Sequence, residues 1–483
     1  MNNRAVNEDF KVIIIGAGIS GLAAATTLLK SGVKNILILE AQPEPGGRIR
    51  SVEFGSGFVE LGAQWFHGTK SDLCQLAEEN GFLNSTNSFE GLGNYYSTGG
   101  KVVSPSIVKN IRNVIDQALS YLENITNYNN IPESVGEYLT NEFEIYINKI
   151  CDTEENIRLK REVFDWHLRF QVIDNACTDL WTLSAKHFGK YQFCGGEDYV
   201  NLKHGFSKVI EHLVSELPPG MLHTSCPVKT IKWDEKILPT SKIFCEVVTE
   251  NGDVYRCDHV MVTCSVGYLK ENWSIFDPPL PVVHLKGFNC IGFDTLNKIY
   301  LEYDDSWWGL LEGIQFVWDS AKRKKQLEKD ELLWTCDLTG FDPVVGLSNV
   351  LVGWVGGEGA VLMETFSSDL ISQHCTHVLR EITGNYQIPL PKRCTSSKWY
   401  SNKYIRGGYS HLNTKRGKCK AVITSLLRPV NSYIEDSNKL KRHSSILFAG
   451  EALHRTCYST THGAFESGKE QAMNLVNIIN SSK

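Results

Sequence analysis

Apolar residues in this chain follow two rhythms. Residues 12–15 (Val-Ile-Ile-Ile) form an unbroken apolar run that leads into Gly16-Ala17-Gly18-Ile19-Ser20-Gly21. A stretch of small residues follows, then a second apolar run at 36–39 that ends in Glu40. This order predicts strand, glycine turn, helix, strand and acid. From about 71 to 200 the rhythm lengthens to that of helices. Ile107, Ile111 and Ile115 recur every four residues, and Val114 and Leu119 widen the stripe. Residues 205–216 predict another amphipathic helix. Strand-like alternation returns at 228–233, 244–248 and 260–264. Residues 286–400 mix strands, such as 298–303 and 351–355, with helices. A strand at 446–449 precedes a helix running to about 479.

The expected fold class is α/β. One domain is Rossmann-like and doubly wound, discontinuous, assembled from 1–78, 203–285 and 440–483. The remainder, 79–202 and 286–439, is expected to be an α+β domain with a mixed sheet flanked by helices. At 483 residues the chain is long enough for two cores. The first apolar run is not expected to be a membrane span or signal anchor. Gly and Thr interrupt it, and no basic leader with a cleavage site precedes it.

The glycine turn carries the first chemistry. Gly16, Gly18 and Gly21 let backbone amides approach a pyrophosphate, which the helix N-terminus favours. Glu40, 19 residues past Gly21, is placed to take both ribose hydroxyls. Gly46, Gly47 and Arg48 follow closely and suggest a flavin rather than a nicotinamide. Arg48 could pair with the pyrophosphate or face the flavin; a turn with a surface arginine is the plain alternative. In Glu60-Leu61-Gly62-Ala63-Gln64-Trp65-Phe66-His67-Gly68, small residues permit close approach to a flat ring. Trp65 can pack beside that ring, and His67 can face a substrate or be structural. Near the end, Gly450 and Glu451 close a strand, and Thr460 stands where a helix begins. That helix N-terminus would favour negative charge on a reduced flavin. Lys298, Tyr300 and Glu302 share a strand face by period two, and a surface lysine is the default reading. Trp399-Tyr400 and Arg406-Gly407-Gly408-Tyr409-Ser410 could wall a cation site or simply pack.

Composition adds limits. The net charge of −6 argues against nucleic acid and suits a cationic substrate. The 14 cysteines are scattered without zinc spacing and read as free thiols inside a cell. On that reading the sequons at Asn84, Asn124 and Asn272 go unused. The final residues lack a peroxisomal Ser-Lys-Leu, so a cytoplasmic location is expected. The basic cluster 322–325 leaves a nuclear pool open, although a solvated face suits it better.

In family order, GAGISGLAAA, ELGAQWFHG, LNKIYLEY, YIRGGYS and FAGEALHRTCYSTTHGA resemble the flavin-dependent amine oxidases. The likeness is greatest to the polyamine oxidase branch, which holds spermine oxidase and acetylpolyamine oxidase. It spans residues 11 to about 479. The resemblance implies FAD as cofactor and a small cationic polyamine and O2 as partners. It implies hydride transfer from an amine carbon to flavin N5, hydrolysis of the imine to an aminoaldehyde, and hydrogen peroxide as by-product. By the same resemblance Lys298 holds a water near the flavin, His67 is an active-site histidine, and Trp399 packs near the flavin. Tyr458 with Thr460 is preferred over Tyr409 for the aromatic wall. The implied FAD contacts are Gly16, Gly18, Gly21, Glu40, Gly47, Arg48, Gly62, Ala63, Gln64, Trp65, Val228, Gly450, Glu451 and Thr460. Glu197 and Asp198 are the candidate substrate acids. No metal site is expected. Gly408 stands where monoamine oxidases carry their flavin-bound cysteine, so the FAD is expected to be non-covalent. Neither a membrane helix nor a helical tower is expected, and the oligomeric state is not legible. Cys457 stands where close relatives carry tyrosine. The rivals are an amine or amino-acid oxidase of the same fold with another substrate, a non-catalytic prenyl-GTPase chaperone-like binding protein, and a flavin-binding relative that has lost activity, against which Lys298, His67 and Glu451 speak.

Overall fold

The structure is a computed structural model, and it describes residues 5–233, 245–319, 330–415, 425–436 and 439–481. The basic cluster 322–325 lies outside the described residues. Two large sheets dominate, each with its own cores.

In the first sheet, strand Ala5–Ile15 pairs in parallel with Ile36–Leu39 on one side and Val254–Val262 on the other. Leu222–His223 and Lys439–Phe448 extend the parallel part. An antiparallel flap, Val228–Lys232 and Cys245–Thr249, continues from Val254–Val262. The apolar run at 12–15 is unbroken because both faces of this strand are covered. Val12 and Ile14 join a core with helix Ile19–Lys30 and the last helix, Thr461–Ser481. Ile13 and Ile15 face a second core with Val247, Val260 and Phe448. Small residues decide how closely those helices pack. A Cβ at Gly468 would lie 2.1 Å from the Ser20 carbonyl oxygen. The hairpin that begins at Val430 belongs to this sheet, so the expected junction at 439–440 falls inside it.

The second sheet has seven strands in the order Arg393–Ser396, Leu296–Glu302, Val350–Gly356, Leu338–Pro343, Ile314–Val317, Asn94–Ser97, Lys101–Val102. It is mixed: Ile314–Val317 pairs in parallel with Asn94–Ser97, and the other pairs are antiparallel. Helices Pro105–Asn124, Val135–Lys149 and Glu154–Asp174 build a further core with Tyr95 and Val317. Gly357–Met363 and Ser368–Thr383 build another with Ile299, Leu301 and Phe316. Leu296–Glu302 is buried along its whole length, between Val350–Gly356 and Arg393–Ser396. This removes the surface reading of Lys298. Cys290 is disulfide-bonded, which corrects the expectation of thiols throughout; twelve other described cysteines are free.

Candidate active site

One cavity of about 1100 Å³ reaches from the end of the first strand to the second sheet. Its volume is at the upper end for ligand sites. The first strand ends at Gly16, whose φ of +102° is a conformation glycine adopts without strain. Helix Ile19–Lys30 starts there with no side-chain cap on Gly18, leaving its first amides open. The Ser20 hydroxyl beside them is buried without a hydrogen-bond partner and lines the cavity. A Cβ at Gly18 or Gly450 would meet no protein atom within 4 Å, so both glycines leave backbone open to the cavity. Gly21 does not line it. There a Cβ would lie 2.1 Å from the Gly16 carbonyl oxygen, so this glycine packs helix on strand, correcting its expected cofactor contact. Glu40 lines the wall, with its two carboxylate oxygens accepting from the Ala17 and Gln42 amides at 2.7 and 2.8 Å. Burial raises its pKa against those two bonds, and each oxygen keeps acceptor capacity. Val228 and Gly47 line the same end.

Arg48 and Glu451 meet in the middle. Arg48 Nη1 donates to Glu451 Oε1 at 2.8 Å and to the Gly408 carbonyl at 2.9 Å. The other Glu451 oxygen accepts from Ser410 Oγ and, at 3.0 Å, from the Ser459 amide. Trp399 donates its indole N–H to the Leu61 carbonyl at 3.1 Å. A Cβ at Gly62 would lie 1.9 Å from the Arg48 carbonyl oxygen, so glycine is required for that approach. Thr460 Oγ1 accepts from the Gly463 amide at 3.0 Å and so caps the last helix, as its residue type predicts.

Lys298 sits below this point and is 3% exposed. Its Nζ donates to the Gly62 carbonyl at 2.8 Å and to Gln64 Oε1 at 2.7 Å. The ammonium lies 4.5 Å from the Trp354 ring centroid and 5.6 Å from that of Trp65. Those two indoles stack, with centroids 5.7 Å apart. Burial pushes the lysine pKa down, opposed by the carboxylates of Glu60 and Glu90. A lysine so tuned can hold or move a proton near neutral pH.

The far end is acidic. His67 Nδ1 lies 3.1 Å from Asp198 Oδ1, and Asp198, Asp174 and Glu90 all line the cavity. Burial raises the Glu90 and Asp174 pKa values. Although protein surrounds Asp174, the residue stays accessible from the cavity, so a bound cation could reach it. Ala63, Tyr409 and Tyr458 line the cavity too; the Tyr409 hydroxyl donates to the Ile173 carbonyl at 3.0 Å. Tyr458 meets Tyr191 edge-on at 5.9 Å. Glu197 does not line it: its side chain is exposed and its amide bonds Thr69 Oγ1 at 3.2 Å. Cys457 is buried, with its thiol donating to the Gln192 carbonyl at 3.5 Å.

Glu90, Asp174, Tyr199 and Trp354 were not among the residues singled out from sequence. Each sits alone among ordinary neighbours, and a scan for isolated acids at helix or strand ends is the signal that finds Asp174, the last residue of its helix. The glycine cradle, the orphaned Ser20 hydroxyl and the held Glu40 carboxylate fit the pyrophosphate and ribose of FAD. The residues that would hold it are Gly16, Gly18, Ser20, Glu40, Arg48 and Gly450, with Trp65 and Trp399 flanking the cavity between the two ends.

Comparison with known proteins bears on the family and the fold. The model of flavin containing amine oxidoreductases matches residues 19–476. Human "peroxisomal N(1)-acetyl-spermine/spermidine oxidase" is 33% identical over 496 aligned residues, covering 97% of this chain and 95% of its own. "Probable polyamine oxidase 5" of Arabidopsis thaliana is 27% identical, covering 96% and 98%. A solved structure of putrescine oxidase bound to putrescine has the same fold, with a TM-score of 0.70 at 18% identity over 97% of this chain and 99% of that one. No helix among the described residues is long and apolar enough to cross a membrane.

Proposed function

Since the chain belongs to the flavin-containing amine oxidoreductase family, with FAD as its cofactor, we propose that it oxidises a secondary amine carbon of a polyamine, either spermine or an N1-acetylated form. The observation that carries this reading is the placement of Glu90, Asp174 and Asp198 in the same cavity as Lys298 and the glycine cradle.

When bound, FAD supplies the hydride acceptor for the carbon–nitrogen bond. The chain's own residues do the rest. The carboxylates at the far end pair with distal ammonium groups and fix which nitrogen reaches the chemistry. Trp65 and the apolar cavity wall exclude water, which favours the neutral form of the reacting amine. That amine must be neutral, because only its lone pair can assist loss of hydride. Lys298, held by Gly62 and Gln64, keeps an exchangeable proton at the base of the cavity. The products are an aminoaldehyde and a shorter amine, with O2 reduced to hydrogen peroxide.

An amino-acid substrate suits this cavity less well. It needs a free cation for its carboxylate, and the arginine among the described lining residues, Arg48, is taken by Glu451. The test is peroxide release from the FAD-loaded protein with spermine, spermidine, N1-acetylspermine, N1-acetylspermidine, benzylamine and leucine. Turnover confined to polyamines supports the reading. Turnover of leucine or benzylamine alone removes it.

A further inference from the structure

Tyr199 is held in a backbone conformation that tyrosine seldom adopts. Its φ is +56°, in the left-handed region where a bulky side chain is strained. The strain is imposed from both sides. The Asp198 carboxylate accepts the Tyr199 amide at 2.8 Å, and Val200 next in the chain pairs in both directions with Phe66 at 3.0 and 3.2 Å. Glycine or asparagine would sit there freely. What the strained tyrosine does is bring a ring to the cavity wall. That ring stands edge-on to Trp65 and to His67, 5.4 Å from each, and tilts against Phe89 at 5.4 Å. Burial raises the pKa of its hydroxyl, and the nearby carboxylates of Asp174 and Glu90 add to this. Strain of this kind persists where surrounding structure fixes a working geometry.

An aromatic ring among carboxylates recognises one ligand chemistry, a protonated alkylammonium. Ring and acids both attract the cation, and the ring also covers the adjoining methylenes. We propose that Tyr199 is a substrate-binding residue that sets specificity, holding a distal ammonium and its methylenes between its ring and the Asp174–Glu90 pair. This rests on the polyamine reading above.

Two FAD-loaded variants test it. Tyr199→Asn keeps the left-handed backbone and removes the ring; Tyr199→Phe keeps the ring. The probe is 1,12-diaminododecane, a dication without a secondary amine, titrated by calorimetry, alongside steady-state kinetics on spermine. Tyr199→Phe should bind within about threefold of the wild type. Tyr199→Asn should bind the diamine at least tenfold more weakly and raise KM for spermine by a similar factor, with kcat within about threefold. Wild-type affinity and KM in Tyr199→Asn would overturn the assignment. If that variant fails to fold, Tyr199→His, another residue tolerant of positive φ, decides. Its affinity loss relative to wild type should be larger at pH 6, where the imidazolium repels the ammonium, than at pH 8. Comparison with wild type at each pH cancels the charge that the neighbouring Glu90, Asp174, Asp198 and His67 contribute to both proteins. An equal loss at both pH values would overturn the proposal. A wild type that neither binds the diamine nor turns over spermine would instead remove the polyamine reading.

Discussion

Arg48 and Glu451 stand 403 residues apart in the chain and 2.8 Å apart in the fold. The pair ties the turn after the second strand to the start of the C-terminal flavin block. Arg48 keeps 26% side-chain exposure and Glu451 only 6%. Removing the carboxylate therefore leaves a half-buried cation with only the Gly408 carbonyl. Glu451→Ala is expected to cost about 3 kcal/mol, the low end for breaking a buried pair, and to release FAD during gel filtration. Glu451→Gln keeps the acceptor for Arg48 but loses the one for the Ser459 amide, so it should retain more flavin than Glu451→Ala. Full flavin retention and an unchanged melting temperature in Glu451→Ala would show that the pair does not brace the site.

Lys298 is buried beside two stacked indoles, with its ammonium bonded to Gly62 and Gln64. Lys298→Met is close to it in length and keeps the packing. FAD should stay bound, while flavin reduction by amine or reoxidation by oxygen slows by about 100-fold, a usual size for loss of a proton-handling group. Stopped-flow rates equal to the wild type in both half-reactions would exclude this role.

Asp174 and Glu90 face the cavity with pKa values raised by burial. They gain charge as pH rises, so KM for a polycation should fall as pH rises above the ordinary carboxylate range. Asp174→Asn removes one charge and should raise KM about tenfold or more, matching a charge-assisted hydrogen bond. The measurement is KM for spermine between pH 6 and 9; a flat, wild-type-like KM in Asp174→Asn would place the substrate elsewhere.

Asp342 lies beneath Glu90 and is buried, accepting from Gln315 Nε2 at 2.8 Å and the Gly91 amide at 3.3 Å. Burial pushes its pKa from 3.8 up to about 7. Between those values the folded chain holds a proton that the unfolded chain has released. Stability from this group is therefore lost as pH rises through that window, at up to about 1.4 kcal/mol per pH unit. Asp342→Asn should flatten the decline. Urea denaturation at pH 5 and pH 8 checks it: the two proteins should differ in slope, and parallel slopes would contradict the burial argument.

Part of this site is legible in sequence because its contacts are local. Gly16, Gly18 and Glu40 lie within one strand–helix–strand unit, where residue type and spacing fix geometry. Gly21 shows the limit even there: the same glycine serves a ligand or helix packing, and only the 2.1 Å approach of Gly16 decides. Glu197 and Asp198 are neighbours, and their sequence context does not tell which one faces the cavity. Period two groups Lys298 with Tyr300 and Glu302, yet whether their strand is covered depends on partners at 350–356 and 393–396.

By itself the sequence determined the dinucleotide cradle, the order of the flavin blocks and the alternation of strand and helix, all consequences of backbone sterics and short-range apolar pattern. Tertiary structure alone decided the charge and reach of the cavity. Glu90 follows a short strand, Asp174 ends a helix, Trp354 lies within the second sheet, and Tyr199 sits at a strained kink. Their electrostatics come from burial and from each other, and both arise only when segments distant in sequence close around one space.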